Sequence, residues 1–348
     1  MNIGFFVTDL SLEKSQYSTY WVSLAAIARG HKVFHISASD LEYTESGDLR
    51  VKARSVKKKK YKDSRAYFEA LRGPEGQEES ISVSDLDILL LRSDPACETD
   101  GYKWVQPMAL QLGRLARSQG VIVLNDPDGL SKAMDKLYLQ LYPDFVRPES
   151  IITRSPADIK HFAREHGGNI IIKPVQGSGG KGVFLLKKDG DHNFRQMVEA
   201  VLEDGYVIAQ EFIQEATLGD TRLFMMNGEP LKIQGKYAAF ARRRKGEDVR
   251  SNVHVGATIA RAEITDDILE LTNAVRPRLV EDGMFLVGLD IVGKKILEIN
   301  VFCPGGLRNA QRLEGVDFTS AMVDALEAKV RYLSYYREKW YNLNPVVL

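Results

Sequence analysis

A lysine at the end of an apolar segment, followed at once by a glycine-rich stretch, is the feature of this sequence that most limits its fold. Residues 171–186 read IIKPVQGSGGKGVFLL, with four glycines in six consecutive positions. The apolar segments on both sides of the glycines predict two strands. A P-loop or a dinucleotide-binding fingerprint would instead need a helix after the last glycine. The sequence therefore predicts an antiparallel pair of strands joined by a glycine-rich loop.

This loop has two interpretations. Successive glycines let backbone N–H groups turn toward one point and form a concave anion site, to which Lys173 adds a positive charge. A plain glycine-rich hairpin is the alternative. Lys173 favours the first interpretation, because a lysine buried at the end of a strand is costly unless an anion pairs with it. We expect a flap that closes over a nucleoside triphosphate.

Oxygen-bearing side chains also interrupt a later apolar segment, VGLDIVGKKILEIN. Asp290 lies inside the first apolar run, and Glu298 and Asn300 alternate with apolar residues, so they share one face of a strand. Two carboxylates and an amide suit Mg²⁺ better than Zn²⁺, which prefers histidine or cysteine. A structural carboxylate satisfied by its neighbours is the alternative for an isolated acid, but the spacing of these three residues favours a metal site.

The metal interpretation depends on how the two strands are connected. If residues 293–295 form a three-residue connection, Asp290 lies directly opposite Glu298 on the same face. A two-residue connection would pair Asp290 with Leu297 and point the two acids to opposite faces. We therefore expect the longer connection.

The first 125 residues alternate between strand and helix signals. Buried strands are predicted for NIGFFVTDL, HKVFHISA, DILLLRSD and VIVLND, with helices at 18–29 and 104–118 between them, which indicates a parallel, helix-covered sheet. A helical stretch from Leu130 carries Lys132 and Lys136. The later strands have an antiparallel character, including a hairpin that turns at Asn227 and Gly228. We expect three parts, at 1–124, 125–205 and 206–348.

The composition limits the possible partners. Lysine plus arginine and aspartate plus glutamate each number 47, so no net charge attracts the chain to nucleic acid or an anionic membrane. The N-terminal segment MNIGFFVTDLSLEKS predicts a buried strand rather than a signal peptide, and no apolar run approaches the ~20 residues of a membrane span. Two cysteines cannot build a disulfide framework. We expect a cytoplasmic protein that acts on small molecules.

Several polar features have two interpretations each. The lysine run at 57–60 is interpreted as a solvated loop rather than a phosphate-binding patch. The ARRRK segment resembles a nucleic-acid patch, but the zero net charge favours a mobile basic lid, Arg242 to Lys245, over anionic substrates. Arg92 ends a strand where parallel sheets bind ligands, and a surface ion pair with Asp94 is the alternative.

Together the motifs resemble those of a known family. The segments IIIKP, QGSGGKG, AQEFI, GDTRLF, RSN and GLDIVGKKILEIN occur in the order seen in ATP-grasp ligases, and the chain looks most like bacterial glutathione synthetases. The segments LLRSDP and VLND are similar too, so the resemblance covers nearly the whole chain. It implies an α/β fold: an N-terminal parallel-sheet, Rossmann-like domain (pre-ATP-grasp), followed by an ATP-grasp domain of two α+β subdomains.

The resemblance also implies roles for individual residues. The nucleotide set that it implies is Lys136, Lys173, Gly177, Gly179, Gly180, Gln210, Glu211, Phe212 and Asp220. In this set the lysines contact the α and β phosphates, the glycines cover them, residues 210–212 hold the adenine and the aspartate lies near the ribose. The remaining sets are Arg222, Arg250 and Asn252 for catalysis, Asp290, Glu298 and Asn300 for two Mg²⁺ ions, and Arg92 and Arg308 for substrate.

The activity that the resemblance implies is an ATP-dependent ligase that joins a carboxylate to an amine through an acylphosphate. Glutathione, from γ-glutamylcysteine and glycine, is the expected product. Two segments depart from the family: VFCPGGLRN replaces small hydroxyl residues and Pro-Thr, and RSNVHVGATI replaces paired glycines. Another carboxylate and amine, or a nucleotide-binding protein without ligase activity, are therefore alternatives. The metal set and Arg222 argue against the binding protein. Homo-oligomerisation is suggested by the resemblance alone.

Cys303 lies just past the second acidic strand and could be taken for a nucleophile. No histidine is near it in the sequence. A cysteine that forms part of a pocket wall is therefore the favoured interpretation.

Overall fold

The computed structural model describes six stretches of the chain, 1–57, 60–94, 100–177, 180–187, 193–244 and 257–336. Their strands form three larger sheets and one two-stranded sheet. Among the helices in these stretches, none is long and apolar enough to cross a bilayer. The short 3₁₀ helices are Val83–Asp85, Asp100–Tyr102, Lys136–Leu141, Asp144–Val146 and Gln214–Thr217.

The first sheet is built from the N-terminal part of the chain. Its elements are β1 (Asn2–Val7), α1 (Ser18–Ala28), β2 (Lys32–Tyr43), β3 (Leu49–Ser55), α2 (Ser64–Arg72), β4 (Gln77–Ser82), β5 (Ile88–Leu91), α3 (Val105–Ser118) and β6 (Ile122–Leu124). The strand order is β4-β3-β2-β1-β5-β6, in which β2, β1, β5 and β6 are parallel. These are the four strands predicted from the sequence, so the parallel core is confirmed.

The antiparallel extension of this sheet was not predicted from the sequence. β3 pairs with β2, and β4 pairs with β3, both antiparallel. Within β3 every second side chain, beginning with Leu49, is buried, as expected of a strand with one face on the core. The first sheet is therefore mixed at one edge.

The second sheet carries the glycine-rich loop. Its elements are α4 (Pro127–Lys132), β7 (Ser150–Thr153), α5 (Pro156–Glu165), β8 (Ile170–Pro174), β9 (Phe184–Leu186), α6 (Phe194–Leu202) and β10 (Val207–Glu211). The order is β7-β10-β8-β9, and every pair is antiparallel. The predicted antiparallel pair on both sides of the glycines is thus confirmed as β8 and β9. Because β10 pairs with β7 and β8, a boundary that keeps this sheet whole lies after Glu211 rather than after residue 205.

The third sheet holds the acidic strands. Its elements are β11 (Gly219–Met226), β12 (Glu229–Pro230), β13 (Lys232–Ile233), β14 (Lys236–Tyr237), β15 (Ala239–Arg243), β16 (Thr258–Ala260), α7 (Asp266–Glu281), β17 (Leu286–Val292), β18 (Lys295–Asn300), α8 (Leu307–Glu314) and α9 (Phe318–Tyr336), with β13 and β14 paired separately. The order is β16-β15-β11-β17-β18. Asn227 and Gly228 have φ angles of 53° and 79°, which confirms the predicted hairpin turn between β11 and β12.

The single helix expected from Leu130 through Lys136 is wrong. Helix α4 ends at Lys132, and a separate 3₁₀ helix begins at Lys136. The carboxylate of Asp135 accepts a hydrogen bond from the backbone N–H of Leu137 at 2.8 Å and caps this second helix. Because of this break, Lys132 and Lys136 have different hydrogen-bond partners: Asp282 for Lys132 and the carbonyl oxygen of Gly177 for Lys136.

The side chain of Asn125 joins the first sheet to the third. Its Nδ2 donates to the carbonyl oxygens of Leu286 at 3.1 Å and Val301 at 2.6 Å, and its Oδ1 accepts from the backbone N–H of Leu286 at 2.9 Å. All three bonds of this buried amide are to backbone groups of strand β17 or of the residue after β18. The end of β6 is therefore fixed against the acidic strands.

Candidate active site

A cavity of about 580 Å³ is lined by residues of the second and third sheets and, from the N-terminal part of the chain, by residues that include Gln106 and Pro107 of α3. The predicted site residues that line it are Lys136, Lys173, Gly177, Gln210, Glu298 and Asn300. Cys303 also lines the cavity, as expected of a cysteine in a pocket wall. The structure thus brings together two lysines, part of the glycine-rich loop and two members of the predicted metal set.

Lys173 lies on β8 with its ammonium inside the protein. The residue is 9% exposed, and Nζ donates to Oε1 of Gln210 on the neighbouring β10 at 2.7 Å. Burial, together with repulsion from Lys136, lowers the pKa of Lys173 to about 8, although attraction to Glu298 opposes this shift. A buried ammonium whose hydrogen-bond partner is neutral favours binding of an anion.

Lys136 enters the same cavity from the 3₁₀ helix. Its Nζ donates to the carbonyl oxygen of Gly177, the first glycine of the loop, at 2.6 Å. Burial lowers the pKa of Lys136, and the nearby carboxylates of Glu298, Asp135 and Asp94 partly offset that effect. Gly177 has a φ of 112°, a backbone conformation that side chains other than glycine's rarely adopt. Ser178 and Gly179, at the centre of the predicted flap, lie outside the described residues.

The expected three-residue connection between the acidic strands is wrong, yet the pairing it was meant to explain is present. Val292 pairs with Lys295, so only Gly293 and Lys294 connect β17 to β18. A register shift between Asp290 and Ile291 then adds one residue on β18, and Asp290 pairs with Glu298. A β-bulge of this kind re-aims side chains in a strand. The two carboxylates consequently reach the same face.

Asp290 is held by two arginines from the same sheet. Arg222, directly opposite on β11, makes a bidentate contact through Nε to Oδ1 and through Nη2 to Oδ2, the latter at 2.8 Å. Nη2 of Arg242 lies 2.8 Å from Oδ2. Burial alone would raise the pKa of Asp290, but the two guanidinium groups overcome this effect and lower it. Asp290 is therefore charged at neutral pH.

Glu298 is in a different electrostatic environment. Burial raises its pKa, and repulsion from Asp290 adds to that shift, while Lys136 and Lys173 oppose it. Asn300 lies two residues further along the same strand, with Nδ2 3.5 Å from Oδ2 of Asp290. Two neighbouring carboxylates in a partly desolvated site are stabilised by a cation between them.

These residues fit a magnesium site by the chemistry of their donors. Within the described stretches, no three or more histidine, cysteine, aspartate or glutamate side chains group as a metal site. The oxygen atoms of this set are the carboxylates of Asp290 and Glu298 and the amide oxygen of Asn300, all hard ligands. Such a set is typical of a cation whose remaining ligands are water or phosphate oxygens.

Arg92 does not form the surface ion pair that was considered for it. The residue is 8% exposed, and its guanidinium donates to the hydroxyls of Ser18 at 2.8 Å and Thr19 at 3.3 Å, in the first turn of α1. It is absent from the described cavity lining, whereas Asp94 is part of it. Contact of Arg92 with a substrate stays a prediction.

Other predicted residues lie outside the lining of the cavity. The guanidinium of Arg308 stacks 3.9 Å from the ring centroid of Trp21, and the carboxylate of Glu211 accepts from the backbone N–H of Glu149 at 2.8 Å. Gly180 and Phe212 are described but are not part of the lining. Arg250 and Asn252 lie outside the described residues. Their roles stay predictions.

Arg242 is the residue that sequence reasoning misplaced. It was expected in a mobile lid, but it is a buried residue of β15 that lies opposite Asp220 on β11. Its guanidinium donates to both oxygens of Asp220, at 2.6 and 2.7 Å. Alternation in the segment AAFARR could have placed Arg242 on the same face as Phe240, because residues two apart in a strand share a face.

Comparisons with known proteins agree with this arrangement. The family model described as prokaryotic glutathione synthetase, N-terminal domain, matches residues 1–131, and that of the ATP-grasp domain of the same enzymes matches residues 135–315. The chain belongs to the prokaryotic glutathione synthetase family. Glutathione synthetases of Shewanella oneidensis and Brucella melitensis are 31% and 32% identical to it. These alignments cover 93% and 90% of the chain, and 96% and 93% of the relatives.

Solved structures are similar in fold. The ATP-grasp ligase PsnB, complexed with a phosphomimetic variant of its minimal precursor, Mg and ADP, has a TM-score of 0.61 at 17% identity, covering 94% of this chain and 98% of that one. D-alanyl-alanine synthetase A of Vibrio cholerae has a TM-score of 0.60 at 13% identity, covering 95% and 98%. This member of the glutathione synthetase family is an ATP-dependent ligase that forms amide bonds, as predicted.

Proposed function

We propose that this ligase forms glutathione from γ-glutamylcysteine and glycine and converts ATP to ADP and phosphate. The observation that carries the proposal is the convergence of Lys136 and Lys173 on one cavity with Glu298 and Asn300. Two partly desolvated cations beside a glycine-rich loop suit a polyphosphate, and the oxygen donors next to them suit a divalent cation. The names of the Shewanella and Brucella relatives support the choice of substrates.

The nucleotide would occupy the side of the cavity that the second sheet forms. Lys136 and Lys173 would contact its α and β phosphates, and the flap of Gly177, Gly179 and Gly180 would cover them. The backbone of residues 210–212, Gln210, Glu211 and Phe212, would hold the adenine. Asp220 is assigned to the ribose by family resemblance, although its carboxylate pairs with Arg242 in this structure.

Magnesium would be held by Asp290, Glu298 and Asn300, as two ions. It would supply positive charge that neutralises the phosphates of the bound nucleotide. Its presence with ADP in the structure of the fold relative PsnB supports this assignment. The fit of the donors described above supports it independently.

The contribution of the protein to the chemistry is orientation and charge stabilisation. A carboxylate oxygen of γ-glutamylcysteine attacks the γ-phosphorus, the bond from that phosphorus to the bridging oxygen breaks, and ADP leaves. The glycine nitrogen then attacks the acyl carbon of the acylphosphate. Inorganic phosphate leaves with the former carboxylate oxygen that joined this carbon to phosphorus, and the nitrogen loses a proton. Arg222, Arg250 and Asn252 would stabilise the charge that develops. Arg92 and Arg308 would bind substrate carboxylates.

Three further assignments belong to this proposal. The chain would divide after residue 124 and again after β10, which keeps the second sheet whole. The enzyme would act in the cytoplasm on small peptide or amino-acid substrates. It would form a homo-oligomer, as the family resemblance suggests.

An isotope experiment tests the proposed chemistry. γ-Glutamylcysteine labelled with ¹⁸O in its cysteinyl carboxylate is incubated with glycine, ATP and MgCl₂. We expect glutathione and inorganic phosphate that carries one labelled oxygen per turnover. Glutathione formed without label in the phosphate would contradict the acylphosphate. If no glutathione forms and another amino acid is consumed instead, that amino acid would replace glycine as the assigned acceptor.

A different amine acceptor is the second candidate. The observation that favours it is Cys303, which lines the cavity in a segment that departs from the family's hydroxyl-rich pattern. Replacement of glycine by a panel of amino acids, with γ-glutamylcysteine and ATP held constant, distinguishes the two. Faster ADP release with another amino acid than with glycine would favour this candidate.

A further inference from the structure

The guanidinium of Arg242 bridges two buried carboxylates. Nε and Nη2 contact Asp220 at 2.6 and 2.7 Å, and the same Nη2 lies 2.8 Å from Oδ2 of Asp290. The three residues are between 5% and 9% exposed, so water screens these charges poorly. Arg242 is therefore tied at the same time to the carboxylate assigned to the ribose and to one assigned to the metal.

Asp290 has little acceptor capacity left in this arrangement. Arg222 contacts both of its oxygens, and Arg242 adds a further contact to Oδ2. The amide nitrogen of Asn300 also approaches Oδ2, at 3.5 Å. A cation that binds Asp290 must displace at least part of this set, because ionised carboxylate oxygens offer about four acceptor positions in all.

Among the described residues, the four side chains of this ion-pair cluster balance one another in charge, and the carboxylate of Glu298 beside them is offset by Lys136 and Lys173. Asp220 and Asp290 contribute two negative charges, and Arg222 and Arg242 contribute two positive ones. A divalent cation added alone would give this cluster excess positive charge in a desolvated place, which is costly. A polyphosphate that arrives with the cation would supply the missing negative charge and new acceptors for guanidinium groups.

We propose that Arg242 occupies Asp290 while the site is empty and moves from Asp290 to the phosphates when nucleotide binds, so that divalent cation and nucleotide bind cooperatively. This inference rests on the proposed magnesium and nucleotide sites. Asp220 keeps the guanidinium close to Asp290 during the exchange. By thermodynamic linkage, the nucleotide raises cation affinity by the same factor by which the cation raises nucleotide affinity.

A purely structural role for Arg242 makes a different prediction. If the arginine only holds β15 against β11, its loss lowers the free energy of unfolding but leaves the linkage between cation and nucleotide unchanged. The exchange instead predicts that its loss frees one acceptor position on Oδ2 of Asp290 for a cation even without nucleotide. The affinity for a cation in the absence of nucleotide separates the two roles.

The test is a titration of the full chain with Mn²⁺ in the absence of nucleotide, in which the free ion is measured by electron paramagnetic resonance. We expect Arg242→Gln to bind Mn²⁺ about tenfold more tightly than the wild type, and we expect the matched control Arg243→Gln to bind as the wild type does. Arg243 follows Arg242 on the same strand but is exposed. An unchanged Mn²⁺ affinity in Arg242→Gln would overturn the inference.

A second variant and a second measurement complete the design. Arg242→Lys keeps the charge but cannot span both carboxylates, so tighter Mn²⁺ binding than wild type is expected there too; it also carries the test if Arg242→Gln does not fold. ADP affinity is then measured with EDTA and with excess Mn²⁺. The factor by which Mn²⁺ raises the affinity for ADP should be about tenfold smaller in Arg242→Gln than in the wild type. A wild type that binds no Mn²⁺ even with ADP would overturn the proposed metal site itself.

Discussion

Lys173 and Gln210 lie on adjacent strands of the second sheet, and the ammonium of the lysine donates to the amide oxygen at 2.7 Å. The amide is neutral, so it satisfies one hydrogen bond without balancing the charge. Burial accordingly lowers the pKa of Lys173 to about 8. This pair places a desolvated positive charge at the cavity, and it is the basis of the first two predictions.

Replacement of Lys173 by methionine should separate nucleotide affinity from stability. Loss of a charged hydrogen bond to phosphate should weaken ATP binding by about 10- to 150-fold, from ~1.5–3 kcal/mol. The free energy of unfolding should not fall, because the substitution removes a buried charge whose hydrogen-bond partner in the described part of the chain is the neutral amide of Gln210. Calorimetric titration and urea denaturation check the two parts.

Lys160→Met is the matched control for this substitution. Lys160 is an exposed residue of α5, and its replacement should change neither quantity. A Lys173→Met variant that binds ATP as tightly as the wild type would contradict the assignment of Lys173 to the phosphates.

Nucleotide affinity should fall in mildly alkaline solution. Lys173 loses its proton in the folded, nucleotide-free protein as the pH rises through about 8, and the deprotonated amine no longer attracts phosphate. The dissociation constant of ADP should be flat below this pH and should rise above it by up to about tenfold per pH unit.

The same shift has an opposite effect on folding. The folded pKa is below that of the unfolded chain, so the penalty for burying the charged lysine is present at neutral pH and is relieved between about 8 and the usual lysine value.

The slope of ADP affinity against pH should be shallower in Lys173→Met. An equally steep slope in that variant would assign the titration to another group.

Asp282 should be important for stability rather than for catalysis. Its side chain is fully buried and accepts from Lys132 Nζ at 2.6 Å, Arg278 Nε at 2.6 Å and Tyr138 Oη at 2.9 Å. Asp282→Ala leaves these donors without their acceptor. We expect the free energy of unfolding to fall by about 3–5 kcal/mol, measured by denaturant titration.

The control for Asp282 is a surface carboxylate. Asp324 pairs with Arg29 but is 65% exposed, and Asp324→Ala should cost less than ~1 kcal/mol. Burial raises the pKa of Asp282, but its three donors outweigh that effect and lower the pKa. Its contribution should therefore be present above the ordinary aspartate pKa and be lost as the pH falls through the folded value. Equal losses in both variants would contradict this account.

The acidic strands show what the sequence could and could not predict about the site. Alternation placed Glu298 and Asn300 on one face, and the assumed three-residue connection placed Asp290 across from Glu298; both placements are confirmed. The predicted three-residue connection was wrong, because a two-residue turn followed by a bulge gives the same pairing as a three-residue turn. A bulge costs one unpaired residue and leaves little trace in local composition.

The position of Arg242 was harder to predict for a different reason. Three consecutive arginines were interpreted as a mobile basic lid, and only the pairing of β15 with β11 places Asp220 opposite Arg242. Buried ion pairs depend on contacts between distant segments, whereas strand periodicity is local. For the same reason the parallel strands of the first sheet were predicted, but the antiparallel edge formed by β3 and β4 was not.

Glutathione synthesis by this enzyme is tested most directly by ADP release from Mg·ATP in the presence of γ-glutamylcysteine, glycine, or both. We predict turnover that requires both substrates and yields one glutathione for each ADP. ADP release that does not depend on γ-glutamylcysteine and glycine together, while another carboxylate and amine support turnover, would contradict the assignment of this chain to glutathione synthesis.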